Sequence, residues 1–348
     1  MTPTFSIPNI RLFIAFKVFF NSRFYYPVFT ILFLDFGLTV AQFSILNAVW
    51  AATIVLAEVP SGALADIIGR KQLLVFATSI MIIEIGIISF IPKTDPSIIF
   101  IVFLINRVLS GLAEAAASGA DEAIAYDSLE AEGDKRQWGR VLEILMRFQS
   151  FGFIIAMSVG AAIYDPNLLE SVCRFFDLDT NFSQETTMRF PLYLTFILAI
   201  CAFITTLRMD DPHKNSPSSD AKKPEIRQAF SLTLKAGLWI LKTPFALCVI
   251  LFGMLFDGII RMVVTLSSQY YRMIELPEST FGIIGSLVAM FGLVIPKIAK
   301  KIAENRSPSY AVWITAGLSL TGLITMNFFW PYLGLIPALI TFSAMYFT

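Results

Sequence analysis

Apolar runs long enough to cross a bilayer constrain this chain more than any other feature of its sequence. A membrane-spanning helix needs about 20 mostly apolar residues. Roughly ten such stretches can be read, at 12–35, 42–65, 72–92, 97–124, 138–163, 190–208, 245–268, 279–298, 309–327 and 331–348. A bilayer core offers the backbone no water, so a spanning segment satisfies its N–H and C=O groups inside a helix or around a closed barrel. These runs are too long and too continuously apolar for barrel strands. The expected fold is therefore all-α, a polytopic helical bundle. Composition agrees, with 56% of residues hydrophobic and 15% charged, against about 25% charged in soluble domains.

The few charges are unevenly placed, and their distribution predicts orientation. Arg11 precedes the first span. Arg70 and Lys71 follow the second, and Lys135, Arg136 and Arg140 the fourth. Arg208, Lys214, Lys222, Lys223, Arg227, Lys235 and Lys242 follow the sixth, and Lys297, Lys300, Lys301 and Arg306 the eighth. The opposite loops hold only Lys93, Arg174, Arg189 and Arg272. Basic loops stay inside, so the N-terminus is expected to be cytoplasmic and the protein multi-pass in the plasma (inner) membrane. The first run lacks a small-residue cleavage site and is expected to remain as a span. The stretch DDPHKNSPSSDAKKPEIRQ, 210–228, reads as a flexible linker. It divides an expected six-helix bundle at 1–208 from a four-helix bundle at 244–348. Within the intervening 209–243, residues 226–241 have the pattern of an amphipathic helix on the membrane surface or of an extension of the seventh span.

Several functions are excluded by what is missing. The formal net charge is zero, so no basic field attracts nucleic acid. The only histidine is His213, in the linker, and Cys173, Cys201 and Cys248 are widely separated. No metal site, cofactor or His-dependent catalytic constellation is expected. There is no GxxxxGK[ST] phosphate loop, so any transport work would draw on an ion gradient. A weak internal repeat supports that direction. GLTVAQFSIL at 37–46 parallels ELPESTFGII at 275–284, and Pro60 to Arg70 has the spacing of Pro296 to Arg306. Parallel duplication of a helical unit is typical of secondary transporters.

The stretch GALADIIGRK carries Gly62, Leu64, Asp66, Gly69, Arg70 and Lys71. It resembles the signature between spans 2 and 3 of the major facilitator superfamily. LINRVLSGL, with Arg107 and Gly111, is similar to that family's span-4 motif, and GADEAIAYDSL at 119–129 resembles a bacterial group within it. The resemblance implies two helical bundles and a small solute moved by alternating access, with protons the simplest coupling ion and a monomer as the working form. It implies no enzymatic activity. The family has twelve spans, so a C-terminally truncated member is expected, with a natural ten-span protein as the alternative. Span 5 carries Gly152 and Gly160 but lacks the Gly-Pro pattern of the family's proton-coupled drug exporters. In the same fold a transport-inactive sensor or assembly protein is the alternative, with an integral membrane lipid-modifying enzyme a more distant one.

The resemblance also implies a gate at the inner end of span 2. There Gly62 would allow close helix approach, Asp66 would face a helix N-terminus, and Arg70 would pair with Asp66, Asp121 or Asp127. Deeper in the membrane, charge is costly, about 2.5–3.5 kcal/mol per residue on insertion scales. Arg23, Glu58, Glu84, Arg107, Glu114, Asp257 and Arg261 therefore call for partners or a proton-coupling role. Glu58 and Glu84 have no basic partner on their own helix, and Arg23 and Arg107 are the cross-helix choices. Glu143–Arg147 and Asp257–Arg261 are spaced as local i,i+4 pairs. Tyr25 and Tyr26, within SRFYYPVF, are candidates for lining a substrate cavity.

Overall fold

The first apolar stretch is not one helix. In the computed structural model, which describes residues 4–93, 95–178, 180–212, 235, 237, 239–305 and 308–344, α1 (Pro8–Asn21) stops in mid-run. The chain turns through Ser22–Tyr25, passes a 3-10 turn at Tyr26–Val28 and re-enters helix as α2 (Phe29–Asp35). Pro27 lies in that turn; it lacks a backbone N–H and its ring obstructs the preceding turn, so it disfavours an unbroken helix. The later stretches are helical without such a break, except the fourth. They form α3 (Val40–Ile68), α4 (Arg70–Phe90), α5 (Pro96–Ala117) and α6 (Ala120–Glu132), then α7 (Trp138–Tyr164), a short α8 (Pro166–Phe175), α9 (Gln184–Thr187) and α10 (Phe190–Arg208). Beyond the linker come α11 (Pro244–Met273), α12 (Phe281–Asn305), α13 (Pro308–Met326) and α14 (Leu335–Ala344). The described residues contain no strand. Among the described residues, five segments are long and apolar enough to cross a membrane: Val40–Ala65, Arg70–Phe90, Pro96–Glu132, Lys135–Tyr164 and Gln184–Arg208.

Local chemistry sets several boundaries. A reciprocal capping box opens α3, where Thr39 Oγ1 accepts the Gln42 N–H at 3.2 Å and Gln42 Oε1 accepts the Thr39 N–H at 2.9 Å. Pro60 is carried inside α3 without ending it. Between α3 and α4 only Gly69 intervenes, at φ +97° and ψ 147°. That backbone region is closed to side chains with a Cβ, so one glycine ends one span and starts the next.

The chain forms two compact units. The first comprises Met1–Arg23, Phe33–Phe153 and Pro191–Lys235. In it α4 and α3 both pack on α5, and α6 packs against α1 and α4. Ile10, Phe13 and Ile14 of α1 meet Ala125 and Leu129 of α6 and Val141 and Leu145 of α7 in a buried cluster. Phe33 and Phe36 close on Phe103 with ring centroids 4.6 and 5.2 Å apart. The second unit comprises Phe24–Leu32, Ile154–Phe190 and Ala236–Thr348. Its α13 and α14 form a close antiparallel-type hairpin joined by a short turn, and α14 contacts α11 and α12. Thr30 ties the second half of span 1 to α11, its N–H donating to Ser268 Oγ at 3.1 Å and its hydroxyl to the Thr265 carbonyl. Most of the linker and most of the stretch expected as a surface helix lie outside the described residues.

Candidate functional site

The break in span 1 delivers a charge to the middle of the first unit. The Ser22 N–H returns to the Val18 carbonyl at 3.0 Å and the Arg23 N–H to Asn21 at 3.1 Å, which closes the end of α1. The Arg23 side chain, 3% exposed, donates from Nη1 to Glu84 Oε1 at 2.8 Å. Glu84, on α4, is fully buried. Its second carboxylate oxygen accepts from Asn106 Nδ2 on α5, and the same amide nitrogen donates to the Glu84 carbonyl at 2.8 Å. Asn106 Oδ1 accepts from Arg107 Nε at 3.1 Å. The Arg107 guanidinium also lies over the Phe33 ring, 5.2 Å from its centroid, where the negative face of the ring attracts a cation. Arg23, Glu84, Asn106 and Arg107 are thus one hydrogen-bonded network linking three spans. Such a cluster persists in a low-dielectric interior only when its charges are paired and bonded. Of the two arginines considered for Glu84, Arg23 makes the direct contact and Arg107 is joined through Asn106. Sequence reading missed Asn106. The available signal was an amide next to Arg107 in an apolar run.

A second ionic cluster gathers on α6. Arg70, the first residue of α4, pairs with Asp127 of α6. Asp121, also considered for Arg70, is instead taken by Lys17 of α1 at 2.5 Å. The physical reason is position: Asp121 and Asp127 stand six positions apart on α6, which puts them on different sides of the helix, so the two carboxylates face different neighbours. Asn9 adds a neutral clasp, its Nδ2 donating to Ser128 Oγ at 2.8 Å and to the Asp210 carbonyl at 2.7 Å. Lys17, a lone cation inside the first apolar run, and Asn9, just before that run, escaped sequence reading. Gly62 needs a correction. It is exposed, and a Cβ there would meet nothing within 4 Å. The close approach of span 2 to span 4 occurs at Gly111, where a Cβ would meet Thr53 Cβ at 2.8 Å and the Trp50 carbonyl oxygen at 3.0 Å. Lys71 is partly exposed beside the junction.

The remaining expected positions are dispersed. Glu58 is exposed on α3 and does not enter the buried network, while Glu114 is partly buried on α5. Arg261 is exposed on α11. The side chains of Asp66 and Asp257 lie outside those described. Glu143 and Arg147 form the local pair expected of them, at 2.6 Å and largely exposed. Tyr25 is buried and Tyr26 is 41% exposed, their rings edge-on at 5.4 Å. Gly160 of α7 receives the broken backbone beside them, since a Cβ there would overlap the Phe24 carbonyl group.

At one end of the second unit a cavity of about 540 Å³ is lined by residues including Asp165, Gln184, Arg272, Glu275 and Glu278. Arg272 donates to Glu278 Oε1 from Nε at 2.9 Å and from Nη2 at 2.5 Å. Asp165 Oδ1 caps α8 through the Asn167 N–H at 3.0 Å, and its Oδ2 accepts the Ser279 N–H at 3.2 Å.

A family model described as Major Facilitator Superfamily matches residues 11–348. Among solved structures, the chain is similar to the nucleoside transporter NupG, with a TM-score of 0.72 at 13% identity, covering 100% of this chain and 79% of that one. It is similar to a bacterial homologue of the human lysosomal transporter Spinster, in an inward-facing and unoccupied conformation (TM-score 0.64, 15% identity, 100% and 74% covered). It is also similar to the xylose transporter XylE from E. coli in a partially occluded inward-open conformation (TM-score 0.56, 14% identity, 99% and 84% covered). A comparison with curated protein sequences finds no match.

Proposed function

The chain belongs to the Major Facilitator Superfamily, and we propose that it is a secondary transporter that couples movement of a small solute to a proton gradient through the network around Glu84. The observation that carries this reading is the coincidence of three things: a broken span, a buried carboxylate and two guanidiniums. Non-helical backbone at membrane depth is tolerated where it is buried in protein or lines a water-filled cavity, and discontinuous spans in transporters build substrate and ion sites. Ser22–Tyr25 is such a segment, and Arg23 at its start is bonded to Glu84.

A proton taken up on a Glu84 oxygen neutralises the carboxylate. The Arg23 guanidinium then faces a neutral acid where it had faced a carboxylate. A buried charge in that position is unfavourable, so protonation favours a conformation in which Arg23 finds water or another anion. A solute that binds only one of the two conformations is thereby linked to the proton. Arg70–Asp127 and Lys17–Asp121 serve as the gate, holding spans 1, 3 and 4 together on the cytoplasmic side when it is closed. Asp66 and Lys71 complete that gate, and Tyr25 and Tyr26 border the solute path.

Two of the structural neighbours are named for nucleoside and xylose transport, which makes uridine and D-xylose the first solutes to try. In proteoliposomes with an imposed pH gradient, the wild-type protein should accumulate its solute and Glu84→Gln should not, while solute exchange without a gradient persists. Gradient-driven accumulation by Glu84→Gln equal to wild type would remove Glu84 from coupling.

A further inference from the structure

The helix α8 follows the spanning helix α7 after a single residue, Asp165. The next spanning segment begins at Gln184. The chain thus leaves and re-enters the membrane at one surface, and α8 is confined near it. Asp165 fixes the turn by accepting two N–H groups of the first turn of α8, from Asn167 and Leu168. No residue of α8 is buried.

Its exposed residues are sorted by chemistry. Leu168, Val172, Phe175 and Phe176 succeed one another at steps of four, three and one and share one side of the helix. Phe175 is 83% exposed and Phe176 67%. Leu178, just past the helix end, is exposed as well. Glu170, Arg174 and Asn167 occupy the opposite side. The two phenylalanine rings meet edge-on at 5.4 Å, an aromatic pair at the level where spanning helices end. Large apolar side chains left this exposed in water are unfavourable.

We infer that α8 lies in the plane of the bilayer surface, with Leu168, Val172, Phe175 and Phe176 inserted among the lipids and Arg174 turned to water. The occupant of this face is lipid, because the helix is tethered at both ends to segments that cross the same membrane. One acid and one base on the helix leave no net charge to draw it to anionic headgroups, so the attraction is apolar. The consequence reaches beyond α8. Asp165, its cap, also holds the Ser279 N–H in the connection between α11 and α12, so a lipid-held helix is fastened to a junction of the second unit.

The test uses the full chain, with its three native cysteines replaced by alanine, in nanodiscs of three parts phosphatidylcholine to one of phosphatidylglycerol. Nitroxide labels are placed one at a time at Leu168→Cys, Val172→Cys, Phe175→Cys and Arg174→Cys. Power-saturation electron spin resonance reads collision with oxygen, which partitions into lipid, and with a water-soluble nickel chelate. The ratio of oxygen to nickel accessibility should be several-fold higher at 168, 172 and 175 than at 174. Equal ratios at all four positions would place α8 in water and overturn the inference. Dipolar broadening that grows when two copies share a nanodisc would assign the face to a second copy and overturn it as well. Reading three positions keeps the outcome decisive if one label perturbs folding.

Discussion

Replacing Arg23 by methionine removes a single charge from the buried network and leaves its partner in place. Arg23 is 3% exposed and Glu84 not at all. The variant strands a carboxylate whose other side-chain contact is Asn106. Breaking one side of a buried pair costs about 3–5 kcal/mol. Replacing both residues by methionine should cost less than the two single changes together, because no buried carboxylate is left stranded. Asn106 Nδ2 still bonds the backbone carbonyl of residue 84, so the main loss left in the double variant is the support that the Glu84 charge gives Arg107 across Asn106. The cycle should therefore give a coupling of several kcal/mol. The pair Arg147–Glu143 supplies the contrast. Its chemistry is the same but its side chains are 72% and 59% exposed, and Arg147→Met should cost only about 0.3–0.5 kcal/mol. Equilibrium unfolding in mixed micelles, followed by fluorescence of the five tryptophans, measures all of these variants on one scale. If Arg23→Met costs no more than Arg147→Met, water screens the Arg23–Glu84 pair and the reasoning from burial fails.

Two further outcomes follow from the packing and the gate. Gly160→Ala places a Cβ 2.8 Å from the Phe24 carbonyl carbon and 3.2 Å from its Cα, where backbone must move, so a loss of about 1–3 kcal/mol is expected. Gly62→Ala meets nothing within 4 Å and should stay within about 0.5 kcal/mol of wild type; equal losses in the same unfolding assay would contradict the packing described for span 1. Asp127→Asn should weaken the partly exposed contact to Arg70 by about 1.5 kcal/mol and lower transport. Exchanging the charges, Arg70→Asp with Asp127→Arg, should restore part of both, and a swap as damaging as the single change would show that the pair is not the working contact.

Much of the architecture was readable because membrane physics acts locally. Runs of about 20 apolar residues must be helical wherever they sit in lipid, so the positions of α3, α4, α7 and α10 followed from hydropathy alone. The motif around Gly69 was equally legible, since its left-handed backbone conformation demands glycine at that point in the chain. Span 1 was not. SRFYYPVF lies inside a longer apolar run, and a proline such as Pro27 can kink a helix without ending it. What ends α1 there is a fit between elements: Gly160 leaves room for the Phe24 carbonyl, Glu84 receives Arg23, and Ser268 receives the Thr30 N–H.

The same division holds for the charges. Sequence alone determined that Arg23, Glu84 and Arg107 would need partners, because an uncompensated charge in a low-dielectric interior is unfavourable whatever the fold. Which partner each found was decided by tertiary structure. Arg70 had three carboxylates within plausible reach along the chain, and the packing of α6 against both α4 and α1 gave it Asp127 while leaving Asp121 to Lys17. Asn106 entered the network only because α4 and α5 pack side by side. Burial cost is a property of a residue and can be read from its letter. Pairing is a property of geometry, and it exists only once the helices have met.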